Sequence, residues 1–235
     1  MKLLLTSTPR SGNTWLRLML ADLYQLAQYA VHTPDALDWK QLPPRCIVQL
    51  HWDRTPEFTA QLADAGFDVL TIARHPLDVL LSILQFAPHE PQTAMWLSGR
   101  AGNEDAIHGQ EVGSEAFRAY ATGPRAATLL SVTPQWWNVP GGLQVRYEEL
   151  VQDPRAALAP VIDRYGPPLK DFDQVLPALT LDQLKRTSTN NHFWKGSPGH
   201  WQALMTPELA QAIGQAHAGV FEQLGYGWEP CNAPA

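Results

Sequence analysis

The chain opens on an apolar run, Leu3, Leu4 and Leu5, which gives way to a polar stretch from Thr6 to Trp15 containing Pro9 and Gly12. Short apolar runs and longer amphipathic stretches then alternate down the sequence. Four runs read as β-strands: Lys2–Thr6, Cys46–Leu50, 69–73 and Leu143–Arg146. Most are apolar on consecutive residues, the pattern of parallel strands covered on both faces. Between them the spacing becomes helical. Over 15–29, Leu16, Met19, Leu20, Leu23 and Leu26 fall three and four residues apart, which predicts one helix across the stretch. Pro76 suits the first turn of a helix reaching about residue 85. Ser114 before Glu115 opens a short helix around Phe117 and Tyr120, and Pro124 opens another through Leu130. Helical stretches follow at 154–165 and 207–224, with a short turn at 181–185. Strands alternating with helices predict an α/β fold with a mostly parallel central sheet.

Two stretches, 87–113 and 187–206, lack such periodicity. The first is rich in His, Glu, Gly and Asn and reads as a mobile excursion from the sheet. Loops of that length inside a compact domain are usually functional lids or disordered. Residues 1–229 are expected to form one domain, with 230–235 a loose tail.

In a parallel sheet, ligands sit at the carboxyl ends of the strands. The first strand leads into Arg10, the second into His51, the third into Arg74 and the fourth into Tyr147. Two cations, an imidazole and a phenol thus arrive at one edge. The first of these connections is a strand, a tight polar loop and a helix start, which aims backbone N–H groups at one spot and suits phosphate or sulfate. It is a poor ATPase loop. The Walker pattern places Lys directly after its second Gly, where Asn13 stands here, and the cation comes two residues before Gly12, at Arg10.

Composition narrows the picture. With 45% apolar residues in 235, a proper core can form. Three leucines are too few for a signal peptide or a spanning helix, so an intracellular, cytoplasmic protein is expected. Cys46 and Cys231 are expected as free thiols, and neither has metal-ligand spacing, so no metal is expected. His32, His89, His108, His192 and His217 form no ligand pair at helical spacing and are expected in solvent. The net charge of −6 argues against nucleic-acid or membrane partners. An anionic ligand must therefore be held by local cations and aimed N–H groups.

The stretch TPRSGNTW resembles the 5′-phosphosulfate loop of sulfotransferases that use 3′-phosphoadenosine 5′-phosphosulfate (PAPS), roughly P-[KR]-S-G-[TN]-T-W. The resemblance implies that Arg10 contacts the phosphosulfate, that Ser11, Gly12, Asn13 and Thr14 hold the 5′-phosphate, and that Trp15 lies against adenine. ARHPLDVLLS resembles the segment whose Arg and Ser bind the 3′-phosphate, here Arg74 and Ser82, with Asp78 a candidate partner of Arg74. QLH resembles the strand end whose His is the general base, here His51, although Gln49 replaces the usual Lys two residues earlier. RYEELVQDP resembles the corner whose Tyr lies near adenine, here Tyr147, and TLDQLK more loosely resembles an adenine-contacting segment beginning at Thr180. WKGSPGHW is similar to the family's closing R-K-G-x-x-G-x-W, with Lys195 and Gly196 clamping the 3′-phosphate. Trp194 replaces an Arg there and His200 an Asp, with Arg186 a candidate substitute cation.

The resemblance spans Thr6 to Trp201, with its motifs in family order. It implies a P-loop-like three-layer fold and transfer of a sulfuryl group from PAPS to a small-molecule hydroxyl or amine, releasing adenosine 3′,5′-bisphosphate (PAP) without a metal. The acceptor is expected at 86–113, with Phe117, Tyr120 and Trp136, although Trp136 and Trp137 read first as core anchors. Two other classes stay open at this point: an ATP-dependent small-molecule kinase, and a non-catalytic nucleotide-binding protein of the same fold.

Overall fold

The computed structural model describes residues 1–187 and 196–229. Its centre is a five-stranded, wholly parallel sheet of β1 (Lys2–Thr6), β2 (Ala27–Val31), β3 (Cys46–Leu50), β4 (Asp68–Ala73) and β5 (Leu143–Arg146), in the order β2-β3-β1-β4-β5. Helix α1 (Asn13–Tyr24) follows β1, α2 (Pro56–Asp64) joins β3 to β4, and α3 (Pro76–Phe86) leaves β4. Three short helices, α4 (Glu115–Ala121), α5 (Pro124–Leu130) and α6 (Val132–Trp136), precede β5. Next come α7 (Tyr147–Gln152), α8 (Pro154–Ala157), α9 (Ala159–Tyr165), α10 (Phe172–Val175) and α11 (Leu181–Thr187). The described chain ends with α12 (His200–Leu204), α13 (Pro207–Ala216) and α14 (Ala218–Leu224).

Consecutive apolar residues in the strands serve both faces of the sheet. Leu3, Leu5, Ile47, Leu70 and Ile72 pack with Leu16, Met19, Leu20, Val161 and Phe172 on one side. Leu4, Val48 and Leu50 pack with Phe58, Leu77, Leu80, Leu81 and Trp136 on the other. The result is a three-layer α/β fold, as the sequence predicts. Cys46 is buried in the second layer as a free thiol.

The edge strand β2 is a departure from the predicted helix over 15–29. Gln25 adopts a left-handed conformation (φ 51°), and its N–H caps α1 on the carbonyls of Ala21 and Asp22. Residues 27–31 then pair with the open edge of β3, so sheet pairing overrides the helical spacing. The predicted helices at 154–165 and 207–224 are each split in two, and the turn at 181–185 is helical. His217, expected in solvent, is buried at the junction of α13 and α14, with Nε2 2.8 Å from the Ala121 carbonyl.

The stretch 87–113 is held to the body by a buried ion pair. Arg125 on α5, 4% exposed, donates to the fully buried Glu104 carboxylate at 2.8 Å and to the carbonyls of Thr93, Trp96 and Arg100. Tyr120 adds a hydrogen bond to the same carboxylate. Left-handed conformations at Leu97, Ser98, Gly99 and Ala101 fold the chain over this anchor. This segment is a built wall, not the loose excursion its composition suggests.

Candidate active site

The chain runs from β1 to one side of the sheet, returns beside β1 as β3, then crosses to β4 and β5. A crevice opens where the direction reverses, at the carboxyl end of β1. Because all five strands are parallel, the residues that follow them meet at this edge: Arg10, His32, His51, Arg74 and Tyr147. They line a cavity of about 920 Å³. Four cationic side chains, Arg10, Arg17, Arg74 and Lys185, face one carboxylate, Glu90, on its described wall. A chain of net charge −6 has concentrated positive charge here.

The loop after β1 is closed by its own polar residues. Asn13 Nδ2 donates to the Thr8 carbonyl at 3.1 Å, and Asn13 Oδ1 accepts from the Ser7 hydroxyl. Thr8 is tied to α6 through Thr133 at 2.8 Å. Arg10 and Gly12 both have positive φ, 69° and 100°. Gly12 is dictated by more than its backbone: a Cβ there would lie 2.4 Å from the Tyr147 ring. Gly12, Asn13 and Thr14 reach the cavity wall, whereas Ser11 is buried behind it. Of the predicted loop residues, Ser11 alone does not line the cavity.

Arg10 and Arg74 share one end. Arg10 Nε donates to the Ser82 hydroxyl at 3.1 Å, and its guanidinium lies 3.9 Å over the Phe86 ring. Arg74 donates to the Arg10 carbonyl at 3.2 Å and stacks 4.4 Å over Tyr147. Ser82 is thus brought to the site by α3 packing alongside it. Burial, then the nearby Arg74 charge, lowers the Arg10 pKa to about 9. Arg74 Nε is buried and has no hydrogen-bond partner among the described residues. Two guanidiniums at one end of the cavity, one of them with a buried donor unused among the described residues, make a pocket that an anion would satisfy.

Asp78 does not pair with Arg74. Its carboxylate accepts the backbone N–H of Gly199 at 2.6 Å and of Trp201 at 3.0 Å. It thereby fastens the start of α12, and with it Gly196 and Ser197, to the cavity rim. His75 stacks on Trp201 at 4.8 Å and reinforces the same junction. Tyr147 donates its hydroxyl to the Gly196 carbonyl. Lys195 and Trp194 lie outside the described residues, as do His192 and Cys231.

Trp15 Nε1 donates to the Leu179 carbonyl at 3.1 Å, and its ring meets Tyr147 edge-on. Leu179, Thr180, Leu181 and Leu184 complete an apolar slot around these two aromatics. Lys185, not Arg186, lines it.

On the other side, His51 Nδ1 lies 2.7 Å from the Ser7 carbonyl. A carbonyl only accepts, so Nδ1 carries the proton and Nε2 keeps its lone pair. Burial lowers the His51 pKa to about 4, opposed in part by that hydrogen bond, and His32 and Arg10 lower it further. The imidazole is neutral at physiological pH. Phe86 and Trp96 stack 5.9 Å apart, and Trp96 meets His51 edge-on. Phe117, Tyr120 and Trp136, expected to meet an acceptor, are buried in the core and do not line the cavity. Glu90, Thr93 and Trp96 come from the stretch 86–113 where an acceptor is expected, whereas Arg17 and His32 line the cavity without having been expected there. Of these two, only His32, directly after the edge strand β2, stands where a strand-end signal could have found it.

No helix among the described residues is long and apolar enough to cross a membrane, and no cluster among them could hold a metal ion. The sequence matches the family described as sulfotransferase domain over residues 1–225, and the chain belongs to that family. No curated protein matches it in sequence. Mouse sulfotransferase SULT7A1 complexed with PAP has a similar structure, with a TM-score of 0.66 at 16% identity, covering 96% of this chain and 89% of that one. Retinol dehydratase in complex with androsterone and inactive cofactor PAP gives 0.61 at 14% identity, covering 94% and 80%. The sulfotransferase domain from the curacin biosynthetic pathway gives 0.53 at 15%, covering 96% and 97%. At these identities the likeness is one of fold.

Proposed function

We propose that this member of the family is a PAPS-dependent sulfotransferase that acts on a hydroxyl or amine of a small-molecule acceptor in the cytoplasm. The observation that carries the reading is the meeting of Arg10 and Arg74, whose Nη1 donates to the Arg10 carbonyl and whose buried Nε has no partner among the described residues, beside the loop after β1. The donor set fits an adenosine bearing phosphate at both ends. Arg74, Ser82, Gly196 and Lys195 would hold the 3′-phosphate. Arg10 and the backbone of Gly12, Asn13 and Thr14 would hold the 5′-phosphate, with Ser11 supporting the loop from behind. Trp15, Tyr147 and Thr180 would enclose adenine.

The cosubstrate supplies an activated sulfuryl group joined to a phosphate leaving group. The chain's own task is to position reactants and to stabilise charge. Arg10 places a fixed cation where negative charge develops on the leaving side. His51 presents a neutral Nε2 to take the acceptor's proton, with Nδ1–H anchored on Ser7 so that the ring stays oriented. Burial of the cavity walls by Phe86 and Trp96 excludes water that would compete with the acceptor.

The test is release of PAP from PAPS in the presence of a panel of phenols, alcohols and amines, with and without EDTA. Acceptor-dependent, EDTA-insensitive release supports the reading. ATP–Mg²⁺ turnover with no response to PAPS would instead make the protein a kinase. Tight PAP binding with no turnover on any acceptor would make it a non-catalytic binder.

A further inference from the structure

Arg17 lies one turn beyond the loop on α1 and faces the β2–β3 end of the cavity, away from Arg74 and Tyr147. Its Nε donates to Gln49 Oε1 at 3.1 Å and its Nη1 to Gln28 Oε1 at 2.7 Å. Two neutral amides from adjacent strands thus orient the guanidinium and, among the described residues, leave further N–H donors unspent. Among the described residues no carboxylate pairs with it. Burial lowers its pKa, and its amide partners lie on β2 and β3, whereas Arg74 stacks on Tyr147 at the end of β5. Ala30, Val31 and His32 border it from β2, and His51 closes the same end from β3.

A fixed, partly desolvated guanidinium without a counter-charge is costly unless a ligand supplies one. It shares its end of the cavity with the imidazole assigned to the acceptor's proton. Resting on the sulfotransferase reading, we propose that the acceptor is an acid: a small hydroxy or amino compound bearing a carboxylate, which Arg17 holds while the nucleophile faces His51. Gln49 and Gln28 are positioning residues that aim the fork. The aromatic pair Phe86 and Trp96 flanks the acceptor's carbon skeleton. With Gln49 in place of a basic residue, its amide is available to orient Arg17.

The experiment is calorimetry with PAP at saturation, titrating aromatic and aliphatic hydroxy acids and amino acids, each against its own methyl ester. Wild type is compared with Arg17→Gln and Arg17→Lys. The expected result is that at least one acid binds about tenfold or more tightly than its ester, the worth of one charge-assisted contact. Arg17→Gln abolishes that preference, Arg17→Lys keeps part of it, and both leave PAP affinity unchanged. If no acid outbinds its ester in wild type, the inference is overturned. It is equally overturned if Arg17→Gln keeps its melting temperature but loses PAP affinity, because Arg17 then belongs to the cosubstrate. Should Arg17→Gln fail to fold, the wild-type ratios and Arg17→Lys decide: an unchanged ratio in Arg17→Lys contradicts a fork-shaped contact. Failure of PAP to bind wild type at all would sink the sulfotransferase reading itself, a result separate from each of these.

Discussion

Gly12→Ala isolates the join between the anion loop and the wall that closes over it. At φ 100° an added Cβ is strained by its own backbone, at a cost of ~1–2 kcal/mol. The same Cβ would lie 2.4 Å and 2.8 Å from two ring carbons of Tyr147, so the ring must move, adding roughly 1–3 kcal/mol as in other overpacked sites. Moving Tyr147 also releases two partners, the Gly196 carbonyl and the stacked Arg74. A total of about 3 kcal/mol lowers Tm by roughly 6–12 °C in a chain of this size. Denaturant melts give the stability change, and calorimetry with PAP gives the binding change. Tyr147→Ala removes the obstructing ring, so the double variant should fall short of additivity by more than about 1 kcal/mol. A loss under ~1 kcal/mol with full PAP affinity, or strict additivity, would show that Gly12 and Tyr147 are not joined in this way.

His51→Asn should reduce turnover by about 10²–10⁴-fold, the usual worth of a positioned base, with PAP affinity unchanged. The His51 pKa lies at about 4 against an ordinary 6.5, so its lone pair is available across neutral pH and turnover should fall only as pH drops through about 4. Because the folded value is the lower one, the unfolded chain binds the extra proton. The stability this site contributes is complete above 6.5 and declines as pH falls from there toward about 4, a slope that urea melts should show and His51→Asn should flatten. Arg125→Met leaves the Glu104 carboxylate buried without its partner and frees the carbonyls of Thr93, Trp96 and Arg100, so a loss of about 3–5 kcal/mol is expected in denaturant melts.

The parallel sheet was legible because Leu3, Leu4 and Leu5, and the runs like them, are apolar on successive residues, which only a doubly covered strand requires. The edge strand β2 was not. Ala27, Gln28 and Ala30 are exposed, and what makes them a strand is the open side of β3, a partner that local spacing cannot reveal. The sheet's carboxyl edge was legible because strand ends in a parallel sheet converge whatever their order, which brings Arg10, His51, Arg74 and Tyr147 to one edge. Side-chain partnership was less so. Asp78 sits four residues from Arg74, close enough to suggest a pair, yet its carboxylate caps a distant helix. Glu104 and Arg125 gave no local sign of the ion pair that turns 87–113 into a wall, since their meeting depends on how α5 packs. The composition of that stretch, polar and rich in Gly, describes its surface and not its anchor.

In the proposed function, Arg10 and Arg74 gather at one cavity to grip a doubly phosphorylated adenosine. Calorimetric affinities of PAP and of adenosine 5′-monophosphate, for wild type and Arg74→Ala, test it directly. Wild type should bind PAP far more tightly than the monophosphate, and Arg74→Ala should erase most of this difference while leaving the monophosphate's affinity nearly unchanged. Equal affinity for the two nucleotides in wild type, or an Arg74→Ala loss shared equally by both, would contradict it.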